Sequence, residues 1–425
     1  MNPRLHVGPA WTVLVSSLVC VLLVAVLALL AGVADGDAGT RRADPLAVAV
    51  GERVPSHRPA RLALQALGTA WERDDRAAFV GTAADTPAAG RWAADIWRAL
   101  TDLGVDRLRL RYLAPATPPP RTAATDAVVA EVTWSAGDRT AAATTRLVVD
   151  LAADGAPLAS RALAGSPAPA WALRPARVVD VAGGTLVTWG PVAAERTELR
   201  PLVARARTQV ATALRSAVGG DRADLVVLSP HTSAAFGDLL GSRPADYAGI
   251  AAVTTTVDGS VRDGAGVQVV LNPAVFDRLH AAAAQIVLTH EATHAATGVA
   301  TATVPAWVAE GFADFVALRP ADVPVRVAAG RALAEVRRAG PPLRLPDAAA
   351  FAPGASGLVP TYEQAWLAFW LIERRYGTDA AVACYESVLA GRRVDRALRD
   401  ATGTDRVTLT SAWRAELTRL ARVSR

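Results

Sequence analysis

The chain has 425 residues, 52% of them apolar and 20% charged, a balance that excludes an intrinsically disordered protein and leaves room for two or three domains with at least one large core. All 45 basic residues are arginine, set against 40 acidic ones for a net charge of +5, and with abundant alanine this reads as the coding bias of a GC-rich genome. The arginines are scattered, with no basic run interleaved with aromatics, so nucleic acid is not expected as a partner.

The first element is residues 11–33, "WTVLVSSLVCVLLVAVLALLAGV", 23 residues without a charge and long enough to cross a hydrocarbon core as a helix. Arg4 precedes it and Asp35 and Asp37 follow, so the positive-inside tendency predicts a single-pass anchor over 1–34. The N-terminus is then cytoplasmic, with the rest of the chain on the outer side of the cell membrane. A cleaved signal peptide has a shorter apolar region. Cys20 lies in this span and Cys384 is the other cysteine, so no intrachain disulfide is expected. Residues 35–59, rich in Ala, Gly, Pro, Asp and Arg without apolar periodicity, read as a linker.

From 60 to 190 the pattern is two helical stretches and then strands. Trp92, Ile96, Leu100 and Leu103 mark one helix face, while "RLRLRYL", "DAVVAEVTW", "TAAATTRLVVDLA" and "ARVVDVAGGTLVTWG" read as extended runs. In order and length this resembles the nuclear transport factor 2-like, cone-shaped α+β fold. The resemblance implies an interior between sheet and helices that is either core or a small-molecule cavity.

The domain 191–425 begins with a helix in "ELRPLVARARTQVATALRSAV", a buried strand in "ADLVVLSP", and a short helix capped by Thr232 or Ser233. Two extended runs follow around a Gly-rich turn. The segment "VFDRLHAAAAQIVLTHEATHAATG" predicts a long helix ending at Gly298, and Pro305 opens the next one, "PAWVAEGFADFVAL".

On a helix, residues four apart share a face, so His290 and His294 aim two imidazoles at one ion with Glu291 beside them. A catalytic zinc site takes three protein ligands and keeps one position open. Glu310, sixteen residues after His294, supplies the third ligand if its helix packs back on the first. Asp314 is one turn further along the same face and is placed to accept a hydrogen bond from the free nitrogen of a ligating histidine.

His290-Glu291-x-x-His294, Trp307-x-x-Glu310-Gly311-x-Ala313-Asp314 and the downstream "YEQAWLAFWLIERRYG" together resemble the gluzincin metallopeptidases, in their bacterial, membrane-associated peptidase-MA-like branch. Thr297 and Ala300 stand where a metzincin needs glycine and histidine. The resemblance implies a mainly helical domain with a small mixed sheet, one catalytic Zn²⁺, a protein or peptide substrate, and hydrolysis by a metal-activated water with Glu291 as general base. It also implies an oxyanion donor from a following helix, for which Tyr362 is the residue in place and His231 a weaker alternative. Tyr362 as a half-buried helix residue with its hydroxyl in water remains the other reading. Gly266, Val267 and Val269, in "GVQVVLNP", are either a substrate-binding edge strand or a plain core strand. A zinc-holding interaction module without hydrolysis stands as the alternative function.

Overall fold

The computed structural model describes residues 57–423, apart from 121, 138–139, 174, 190–197, 215–224, 263–264 and 353–354. Fourteen α-helices and two small sheets lie among the described residues, an α+β chain. Helices α1 (Arg58–Glu72), α2 (Arg76–Gly81) and α3 (Pro87–Asp102) come first. In α3 the four-residue spacing buries Trp92, Ile96 and Leu100, and Thr86 caps the start by accepting from the Ala89 N–H at 3.2 Å. Strands β1 (Arg107–Ala116), β2 (Asp126–Ala136), β3 (Thr140–Leu151) and β4 (Pro157–Ala162) then form an antiparallel meander in chain order.

The cone-shaped domain expected over 60–190 needs correction at its closing hairpin. Strands β5 (Ala176–Val181) and β6 (Gly184–Trp189) do not complete the first sheet. They join a second one, in the order β5-β6-β7-β9-β8, with β7 (Leu225–Ser229), β8 (Ala252–Thr256) and β9 (Val267–Leu271). The physical reason lies in β6, which is buried at every position and pairs on both sides, antiparallel to β5 and parallel to β7. A strand without an exposed face belongs inside a sheet covered on both sides. The expected division at 190/191 falls outside the described residues.

Period-two alternation divides this second sheet between two cores. Leu186, Val227, Ala252 and Val269 face a helical layer, while their neighbours Val187, Leu228, Val253 and Val270 face the first unit. Trp92, Trp97, Trp134 and Trp171 fill the interior of that unit, which is therefore packed core.

Helix α5 (Ser233–Leu240) buries Phe236 and Leu239 in the core of the first unit, while the helical layer comprises α4 (Leu199–Ala213), α6 (Pro273–Phe276), α7 (Ala281–Thr297), α8 (Ala306–Leu318), α9 (Val325–Ala328), α10 (Gly330–Ala339), α11 (Leu358–Tyr376), α12 (Thr378–Leu389), α13 (Val394–Thr402) and α14 (Arg406–Val423). The motif helix is shorter than its pattern suggests. Asn272 caps α6 separately, and the His280 ring accepts from the Ala283 N–H at 3.3 Å, so α7 starts only there. Gly298, with φ of 64°, ends α7 in the left-handed conformation that glycine takes without a Cβ clash.

The expected membrane span at 11–33 lies outside the described residues, and among those described no helix is long and apolar enough to cross a membrane. The expectation of a single-pass anchor, with a cytoplasmic N-terminus and an extracytoplasmic remainder, is therefore not supported by any described helix. The apolar faces of α7, α8 and α11 are buried against the sheet and one another.

Candidate metal centre

Helix α7 packs between the sheet and its neighbours α4 and α8, so its residues from Ala283 to His294 are all buried. His290 and His294 sit one turn apart, ring centroids 4.6 Å and planes 83° apart. The short connection through Gly298 returns α8 against α7 and brings Glu310 between the two rings. Glu310 Oε2 lies 3.3 Å from His290 Nε2 and 3.2 Å from His294 Nε2. One donor atom from each of the three residues lies within 4.8 Å of the others, and all three are buried. This group can hold a metal ion.

Asp314 lies where its place on the face of α8 predicts, its Oδ1 2.8 Å from His290 Nδ1. In the neutral ring the carboxylate would hold the proton on Nδ1 and leave Nε2 as the nitrogen with the lone pair. That Nε2 is buried without a hydrogen-bond partner among the described residues, so it is available to a metal ion. Two histidines and one carboxylate, with one ring oriented by Asp314, form a donor set suited to a divalent metal ion.

Charge coupling in the cluster is strong. Burial pulls the His290 imidazole down, but the Asp314 and Glu310 carboxylates outweigh it and raise it to about 10. Burial pushes Glu310 up, yet His294 and His290 pull it down to about 2. Asp314 is shifted upward by burial, against the pull of His290. Three buried acids, Glu291, Glu310 and Asp314, share this space with the two rings, so a divalent cation relieves their repulsion.

Glu291 is 1% exposed and is gripped by a residue the motif does not contain: Thr254 on β8 donates its hydroxyl to Glu291 Oε2 at 2.6 Å. The sequence carries no local sign of this contact, which spans 37 positions from strand to helix.

Tyr362 is fully buried on α11 rather than half in water. Its hydroxyl has no partner among the described residues, and burial together with the fields of Glu310, Asp314 and Glu291 raises its pKa well above the usual tyrosine range. It is a neutral O–H group close enough to the acids to feel their charge. Gly311 allows this approach, since a Cβ there would come within 2.5 Å of the Ala365 carbonyl oxygen on α11. His231 is exposed just before α5 and is not part of the cluster.

Val269 lies inside the sheet, and Gly266 and Val267 are engaged on the β8 side. Val269 pairs with Val227 on one side and Thr254 on the other, Val267 pairs with Thr256, and the Gly266 carbonyl accepts from the Val257 N–H at 2.8 Å. The strand that ends the sheet beside α7 is β8, so the expectation of a substrate edge at 266–271 is corrected to an interior strand. Cys384 is core as its helical pattern suggests, its thiol pushed up to about 12 by burial.

No protein-family model, no curated protein and no solved structure matches this chain.

Proposed function

We propose that this chain is a zinc-dependent peptidase of gluzincin type, with a protein or peptide substrate. The observation that carries the reading is the conjunction of a buried His290–His294–Glu310 donor set with an acid, Glu291, that is not one of the donors. A purely structural site has no need of that acid. The His₂Glu set suits Zn²⁺, which when bound supplies Lewis acidity and makes water nucleophilic near neutral pH.

The chain's own groups then divide the remaining work. Glu291 accepts a proton from the attacking water and returns it to the departing amine nitrogen, so one carboxylate serves as base and then acid. Thr254 fixes the orientation of that carboxylate through its 2.6 Å hydrogen bond. The Tyr362 hydroxyl donates to the carbonyl oxygen as negative charge develops on it, and its neutrality at ordinary pH is what makes it a donor. Asp314 keeps the His290 ring in one tautomer.

The test is digestion of a peptide library by the full chain before chelation, after chelation, and after zinc is restored. The reading expects cleavage that disappears with the chelator and returns with zinc. Cleavage indifferent to chelation, or a zinc-loaded chain that cleaves nothing, would leave an interaction module as the better account.

A further inference from the structure

A cavity of about 780 Å³ opens between the start of α8, the 343–348 loop and helices α13 and α14, and none of the metal-centre residues lines it. Its size falls in the range of roughly 300–1,000 Å³ typical of small-molecule pockets. Its walls combine two chemistries. Arg344, Arg406 and Arg414 line it, and none of the three forms an ion pair with a described carboxylate. Three other arginines of this helical layer are paired, Arg319 with Glu373, Arg396 with Asp400 and, on α14 itself, Arg419 with Glu416. Arg414 Nε is buried without an acceptor, a costly condition that an incoming anion would relieve. The one carboxylate on the wall, Asp347, is engaged in accepting from the Ala350 N–H at 3.2 Å.

The apolar part is equally unusual. Leu343 is 80% and Val407 76% exposed, the two most exposed large apolar side chains among the described residues, and both line this cavity. Trp307 adds a buried aromatic wall. A hydrated inorganic anion would satisfy the arginines but leave Leu343 and Val407 in water, and an uncharged hydrocarbon would do the reverse.

We propose that this cavity binds a small amphipathic anion, a carboxylate or phosphate monoester head on a hydrocarbon body, with the head among Arg344, Arg406 and Arg414 and the body against Leu343, Val407 and Trp307. The site is independent of the peptidase reading.

Calorimetric titration of the full chain, stripped of metal, with monomeric decanoate, decyl phosphate, decanol and inorganic phosphate tests it. Saturable one-to-one binding of decanoate or decyl phosphate is expected, at least about tenfold tighter than decanol or inorganic phosphate. The tighter of the two heads identifies which acid the site prefers. The double substitution Arg406→Gln with Arg414→Gln should weaken binding by about tenfold or more. Leu343→Ser with Val407→Ser, at exposed positions that spare the fold, should weaken it as well. Glu310→Ala should leave binding unchanged. The proposal is overturned if neither amphipathic anion binds, if decanol binds as well as they do, if both double variants bind like the parent chain, or if Glu310→Ala abolishes binding and so assigns it to the metal centre.

Discussion

Under the proposed function, Tyr362 separates a catalytic role from stability at a single atom. Its hydroxyl is buried and unpartnered, so Tyr362→Phe removes a group that costs the folded state free energy and leaves the packing against Phe351 in place. The thermal midpoint should stay the same or rise, while kcat falls by about 10²-fold with little change in KM, as for loss of an oxyanion donor. Unchanged kcat with a raised midpoint would make Tyr362 a packing residue. Asp314→Asn tests the neighbouring hydrogen bond. Equilibrium competition with a metal-binding dye should show zinc affinity reduced by about 10- to 100-fold, and an unchanged affinity would contradict a role in holding His290. At this scale the pairing of His290 with His294 was legible because four-residue spacing on a helix is a geometric statement that needs no tertiary information. Thr254 was not, because its contact with Glu291 exists only once a strand and a helix 37 positions apart are packed together.

Helices α8 and α11 are the pair that bring Glu310 and Tyr362 to one place, and Gly311 sets how closely they pass. Gly311→Ala would force α11 away from α8, costing about 1–3 kcal/mol of stability and lowering activity more than metal content. Denaturant melts with parallel zinc determination check this, and an unchanged melt would show that the contact is soft. Glu363 ties α10 to the same helix. Its carboxylate accepts from the Ala332 N–H at 2.7 Å, but burial outweighs that and pushes it up to about 8. A carboxyl whose folded pKa lies above its unfolded value holds more protons when folded, so its contribution is full below about pH 4.5 and is lost as pH rises through about 8. Glu363→Gln should therefore flatten the fall in thermal midpoint between those limits; an unaltered slope would mean the group is ionised when folded. Element types followed from apolar spacing, as in α3. Strand partners did not: β9 has the letters of an edge or an interior strand, and only its pairing with both β7 and β8 decides.

For the molecule as a whole, the second sheet is common to both cores, with alternate residues of β6, β7, β8 and β9 facing opposite ways. Loss of metal from one face should then be felt on the other. Calorimetry is expected to show one cooperative transition whose midpoint drops on chelation, a ligand-linked effect worth about 4 kcal/mol at a thousandfold excess over Kd. Two transitions, only one of them chelator-sensitive, would show the cores to be independent. The sheet's membership was the least legible feature, because no apolar pattern within 176–189 states whether its partner lies before it or after it. The central claim is that His290, His294 and Glu310 hold the metal while Glu291 moves the proton. Zinc content and peptide cleavage measured together on Glu291→Gln test it most directly: the account predicts one zinc per chain and cleavage reduced by about 10²-fold or more. Cleavage equal to that of the parent chain at the same zinc content would contradict it.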